Sequence, residues 1–138
     1  VGLLTTLYGK GCKLKIVSNE TDINKGAVYE NVVAQELHAH GYPLYYYNSK
    51  KFGELDFVIE QAGEILPIEV KSGKNYEKHS ALDNVIEVSE YGIKGAYIFT
   101  NDNIREKGKL TYLPIYMVMF MKGEEVEFAD ISADKFRI

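Results

Sequence analysis

The sequence predicts an α/β domain with a mixed central sheet flanked by helices. Three observations carry this. A helical apolar stripe runs from Asp22 to His40 and stops at Gly41. Three strand-like runs follow between Leu44 and Lys71, the last two joined by a short glycine-containing connection. A second helical stretch then ends at Gly92 and leads into the apolar run Gly95–Thr100. The order is helix, strand, strand, strand, helix, strand. Hairpins make antiparallel neighbours and the second helix can serve as a crossover, so the sheet is mixed.

Each element has its own signal. Val1–Leu7 is mostly apolar and broken by Gly9-Lys10-Gly11, and Lys13–Val17 alternates as a short strand does. The chain starts at Val1 in apolar sequence, so it reads as a piece of a longer protein: residues 1–18 as a remnant or linker from an upstream domain, residues 19–138 as the domain itself. In the first helix Asp22 and Asn24 suit the N-cap, and Ala27, Val33, Ala34 and Leu37 form the core stripe. Glu30 falls on the same stripe, where a carboxylate is costly unless paired or bound. Leu44–Tyr47 reads as a strand whose tyrosines are half-buried sheet residues rather than base-stacking platforms.

Leu55–Glu60 and Ile65–Lys71 are the central hairpin, connected by Gln61-Ala62-Gly63-Glu64. Ser80–Tyr91 is the second helix, with Ser80 as its cap and Leu82, Val85 and Ile86 inward. Asn101–Lys109 reads as a charged loop. In Thr111–Met121, Pro114 either opens a short helix or sits in an edge strand, and Met117, Met119 and Met121 are core or interface filler. Val126–Ile131 is a last strand.

Composition narrows the function classes. A chain of 138 residues is one domain's worth, large enough to bury about 70% of its unfolded surface. Net charge is −4, which argues against coating nucleic acid by charge alone. The single cysteine, Cys12, excludes an internal disulfide and fits a reducing, cytoplasmic setting. The longest apolar run, Leu113–Met121, is too short to span a bilayer, so no membrane partner is expected.

The hairpin carries the chemistry. Folded symmetrically about its turn, it sets Asp56 opposite Glu69 and Glu54 opposite Lys71, with directly opposed β-carbons about 4.5–5.5 Å apart. Two facing carboxylates repel, and a bound cation removes the penalty. Glu69 and Lys71 are two apart on a strand and share a face. Glu30, Asp56 and Glu69 are oxygen donors, which suit Mg²⁺ or Mn²⁺ rather than zinc. Such a cation with Lys71 beside it points to metal-assisted phosphodiester hydrolysis.

GELDFVI followed by PIEVKSG resembles the PD-(D/E)XK, or restriction-endonuclease-like, nuclease superfamily. Asp56 matches the motif aspartate, Glu69-Val70-Lys71 the E-x-K signature, and Glu30 the helical glutamate that completes the site. Leu55 stands where the motif has proline. More narrowly, KGAVYENVVAQELHAHGYPLYYY, GELDFVI, LPIEVKSG and YLPIYMV resemble a C-terminal domain of unknown function found behind AAA+-type ATPase modules. The resemblance implies the αβββαβ core, a DNA substrate, Mg²⁺ or Mn²⁺ held by Glu30, Asp56 and Glu69, Lys71 as the assisting amine, and an upstream ATPase. It leaves self-association open, and it also fits a non-catalytic DNA-binding or protein-interaction module.

Other signals weigh less. Ser72-Gly73-Lys74 lacks the glycine and Ser/Thr spacing of a P-loop, so no ATP site is expected here. His38, His40 and His79 read as surface residues and Cys12 as structural. Lys50, Lys51, Lys74, Lys78, Arg105, Lys107 and Lys109 fall in loops. The first four would form a nucleic-acid rim only if they share an edge with the carboxylates.

Overall fold

The computed structural model describes residues 25–123, together with Lys10, Leu14 and Ser18. Helix α1 (Lys25–Ala39) leads to strands β1 (Tyr45–Ser49), β2 (Gly53–Gln61) and β3 (Glu64–Val70). Helix α2 (Ser80–Ile86) and a 3₁₀ turn (Ser89–Tyr91) precede β4 (Ala96–Thr100), β5 (Arg105–Lys107) and β6 (Leu110–Pro114). A second 3₁₀ turn covers Ile115–Phe120. The six strands form one sheet in the order β1-β2-β3-β4-β6-β5. β1, β2 and β3 pair antiparallel, β3, β4 and β6 pair parallel, and β5 closes the far edge antiparallel to β6. This is the mixed sheet expected, with α2 as the crossover between the parallel neighbours β3 and β4.

Two apolar layers hold the sheet. On one face Val33 and Leu37 of α1 pack with Ile59, Ile68, Val70, Phe99, Val118 and Met121. On the other, Leu82, Val85 and Ile86 of α2 pack with Leu55, Ile98, Leu110 and Tyr112. β3 is buried on both faces from Pro67 to Val70, as a central strand must be. Pro67 costs it no ladder bond. Lys71 N–H donates to Phe99 O at 2.8 Å, so the odd-numbered amides of β3 face β4, and the pairing with β4 starts only at Ile68↔Tyr97.

Several expectations change. The buried stripe of α1 is Val33 and Leu37 with Tyr29 against it, whereas Ala27 is exposed. The larger side chains at four-residue spacing win the core contact. The hairpin turn has two residues, not four: Gln61 pairs with Glu64, and Ala62 and Gly63 take φ of 54° and 72°, the type I′ pattern. Helix α2 stops at Ile86, and His79, not Ser80, is its N-cap residue, with no side-chain cap bond. Residues 101–109 contain strand β5 because β6 leaves an open edge. Pro114 ends β6 and the 3₁₀ turn follows, so both readings of that stretch occur in sequence. Met121 is core, while Met119 is exposed. Tyr45 and Tyr46 lie exposed on the edge strand, and only Tyr47 packs on the core. His79 is buried, and His40 is half-buried rather than solvated.

Of the expected strand 13–17 only Leu14 is described. It is helical, and Ser18 N–H donates to its carbonyl at 2.8 Å. Cys12, the caps Asp22 and Asn24, residues 1–9, 11–13 and 15–17, and the strand Val126–Ile131 lie outside the described residues. Among those described, no helix is long and apolar enough to cross a membrane.

β2 runs against β1 and β3, and β4 and β6 run with β3. The loops 49–53, 71–79 and 101–104 and the turn 115–120 therefore gather at one end of the sheet. In sheets with parallel strands this is the end that takes ligands.

Backbone geometry yields the first test. Ala62→Asn places a residue tolerant of positive φ in the I′ turn and raises stability by about 0.5–1 kcal/mol. Gly53 has φ of 96°, and a β-carbon there would lie 3.0 Å from that of Ala81. Gly53→Ala therefore lowers stability by about 2–3 kcal/mol. Denaturant midpoints that move the same way for both variants refute this account.

Candidate active site at the carboxyl end of the sheet

The site is built around an irregularity in β2. Tyr45 pairs with Val58 and Tyr47 with Leu55, so β2 carries one extra residue across from β1. Leu55 and Val58 consequently face the same α2-side core, while Phe57 and Ile59 face α1. Regular alternation would have put Leu55 on the α1 face. The bulge falls at Asp56 and Phe57 and re-aims the aspartate, a common use of bulges beside functional sites.

On its other side β2 pairs with β3 in the expected register, from Gln61↔Glu64 to Phe57↔Ile68. The ladder ends there, one pair short of Asp56 and Glu69. They are therefore not the directly opposed cross-strand pair that the hairpin alone predicts. Val70 N–H, which faces β2, donates to Asp56 Oδ2 at 2.7 Å. The carboxylate replaces a ladder acceptor and ties the aspartate to β3.

Glu69 lies between Ile68 and Val70, both in the α1-side core, so its side chain leaves on the opposite face. Lys71, two residues on, shares that face as expected, and its Nζ donates to Glu69 Oε1 at 2.5 Å. The Glu69 side chain is 8% exposed and that of Lys71 29%. Both oxygens of the Glu69 carboxylate lie in the interior, and the backbone N–H of Asp56 approaches it as a donor. Glu30 approaches from α1 and is partly buried.

The charges respond to this crowding. Burial pushes the Glu30 carboxyl up, and the Asp56 charge pushes it further, against Lys71. Burial also raises Asp56, opposed by the Val70 N–H and by Lys71. Glu69 is raised by burial and by the Asp56 charge, opposed by Lys71 and by the backbone N–H of Asp56. Glu54, exposed at the start of β2, raises both Glu30 and Asp56. It belongs to the field of the site although sequence spacing offered it only as a partner for Lys71.

Asp56 and Lys71 link the four sequence-predicted residues: their charges act on Glu30, which comes from the α1 side, and on Glu69, which leaves on the opposite face. Among the described residues no three acidic, histidine or cysteine side chains converge as a ready-made metal cage. The donor set nevertheless fits a hard divalent cation. It is all oxygen, and its members resist carrying charge together. Glu30, Asp56 and Glu69 would hold such an ion.

A family model described as a domain of unknown function, DUF4143, matches residues 25–118. The chain belongs to this family. No curated protein and no solved structure matches it. The DUF4143 match spans α1 through most of the last 3₁₀ turn and contains all four site residues.

Lys50, Lys51, Lys74 and Lys78 are exposed in loops 49–53 and 71–79, at the same end of the sheet as the carboxylates. Lys51 Nζ lies 4.7 Å from the centre of the Phe52 ring. His79, expected at the surface, is 6% exposed and bonds Tyr112 OH through Nε2 at 2.8 Å. No sequence signal marked it, because its partner lies on β6.

Raised carboxyls give a signed pH dependence. A group raised in the folded state contributes stability below its unfolded pKa and loses it as pH rises through the folded value. Glu30→Gln and Asp56→Asn remove that loss. Each variant is more stable than wild type at pH 7 by about 0.5 kcal/mol, small because both groups keep solvent contact. The gap closes as pH falls below the ordinary values of 4.5 and 3.8. Thermal unfolding from pH 7 to pH 3 checks this; variants less stable than wild type at pH 7 would contradict it.

Proposed function

We propose that this domain is a divalent-metal-dependent nuclease of the PD-(D/E)XK type that hydrolyses phosphodiester bonds in DNA, carried at the C-terminal end of an AAA+-type ATPase. The observation that carries the reading is the meeting of Asp56, Glu69 and Lys71 where the β2–β3 ladder opens, with Glu30 near enough for the Asp56 and Lys71 charges to act on its carboxyl. The element order α1-β1-β2-β3-α2-β4 supports the reading, as does the position at the carboxyl end of parallel strands.

Each residue has a distinct task. Asp56, fixed by Val70 N–H, presents its other oxygen to the site. Glu30 and Glu69 complete the oxygen donors. When bound, Mg²⁺ or Mn²⁺ supplies polarisation of a phosphoryl oxygen and activation of water. Lys71 keeps the Glu69 carboxylate charged and oriented, and its remaining N–H donors serve a phosphate oxygen or hold the attacking water.

A second reading keeps the fold and drops the cleavage. Glu69 Oε1 is engaged by Lys71, and the acids do not converge three at a time, which suits a module that binds DNA or protein without cutting.

Calorimetric titration and a cleavage assay separate the two. Wild type binds Mg²⁺ or Mn²⁺, Asp56→Asn abolishes the binding heat, and Asp56→Asn and Lys71→Ala each lower cleavage by about 10²–10⁴-fold. Circular dichroism of both variants stays folded. Cleavage that persists in both variants refutes the nuclease assignment. Metal binding without cleavage of single-stranded, duplex or branched substrates favours the binding module.

A further inference from the structure

The segment directly after the E-x-K strand, residues 72–79, is tied to the β4–β6 region at nearly every inward position. Asn101 Nδ2 donates to Ser72 O at 3.1 Å. Tyr76 OH donates to Asp102, and the Tyr76 ring meets the Tyr112 ring edge-on with centroids 6.0 Å apart. Arg105 donates to Glu77 Oε1 at 2.7 Å while its guanidinium lies 4.4 Å from the Tyr112 ring centre. His79 closes the segment with its buried bond to Tyr112 OH.

These ties sort the side chains of the segment. Its polar and aromatic groups Tyr76, Glu77 and His79 turn toward residues 102–112. Gly73, Lys74, Asn75 and Lys78 are exposed with no side-chain partner among the described residues. Lys78 N–H donates to Asn75 O at 3.2 Å, so a turn joins the two lysine positions. Glu77, the one acid of the segment, has its charge met by Arg105. What faces solvent beside Lys71 is therefore a cationic strap.

We infer that residues 72–79 form a strap that grips the phosphate backbone of a nucleic acid, with Asn101, Asp102, Arg105 and Tyr112 as the positioning residues that hold Lys74 and Lys78 beside the site. This rests on the nucleic-acid reading above and adds the substrate-gripping element and what sets its place. The aromatic and ionic ties are individually weak, since the Glu77 and Arg105 side chains are 58% and 43% exposed. Together they remove the freedom of an eight-residue loop before the ligand arrives, which is where preorganisation strengthens binding.

Glu77→Gln gives an unambiguous sign. By charge alone, losing an acid next to two lysines strengthens binding to a polyanion. If Glu77 acts by anchoring the strap to Arg105, its loss weakens binding instead.

The test uses the full chain in EDTA with a fluorescent DNA oligonucleotide. Lys74→Ala/Lys78→Ala weakens binding about tenfold and flattens its salt dependence. Glu77→Gln weakens it about threefold, Glu77→Asp restores it in part, and trypsin cuts after Lys74 faster in Glu77→Gln than in wild type. Tyr112→Phe repeats the effect through the buried tie. Tighter or unchanged binding by Glu77→Gln, or binding indifferent to the lysine pair, overturns the strap. Strap-dependent binding in a protein that cuts nothing supports the strap and refutes only the nuclease assignment.

Discussion

Asp56 accepting the Val70 N–H is the contact on which the site depends. A buried backbone N–H must find an acceptor. In an unbroken hairpin that acceptor would be a β2 carbonyl. Here the bulge removes it and the aspartate side chain takes its place. The exchange keeps β3 satisfied while opening the sheet at its carboxyl end. It also converts a backbone requirement into a constraint on a carboxylate: Asp56 cannot turn away without orphaning Val70. The position of the acid is thus held by the central strand of the domain, not by a flexible loop.

The same arrangement concentrates charge where the protein can least dissipate it. Glu30, Asp56 and Glu69 are all raised first by burial, and Lys71 is the counter-charge that reaches all of them. One lysine against three acids leaves a deficit of positive charge. The domain therefore carries a charge-crowded cluster beside two apolar layers, one on each face of the sheet. Local conflict of this kind, inside a fold whose other choices agree with one another, is what makes the cluster a candidate site. Stability is recovered elsewhere, in the double-sided burial of β3 and β4.

Much of this was legible in the sequence because it rests on local rules. The αβββαβ order follows from apolar periodicity and from the glycines at 41, 63 and 92. The hairpin register survives even though its turn has two residues rather than four, because both turns share the same centre of symmetry. Glu30, Asp56, Glu69 and Lys71 could be picked out as residues that a stable hairpin and helix would not choose. Misjudged elements share a different cause. Ala27 lost its place in the core to Tyr29 because helix orientation is set by the sheet beneath it. β5 looked like a charged loop because an edge strand of Arg-Glu-Lys has no apolar pattern and exists only by pairing with β6. His79 read as a surface residue because its burial comes from Tyr112, thirty-three positions away.

By itself, then, the sequence determined the order of elements from α1 to β4 and the register of the hairpin, and it singled out four candidate site residues. Each is encoded by side chains within a few positions of one another, where periodicity and turn chemistry act directly. The tertiary structure alone decided how those residues meet. The bulge that turns Asp56 depends on pairing with β1, the open ladder depends on Val70 choosing a side chain over a carbonyl, and the strap after Lys71 takes its shape from β4, β5 and β6. Those outcomes come from contacts between segments far apart in the chain, whose energies exist only once the sheet has formed.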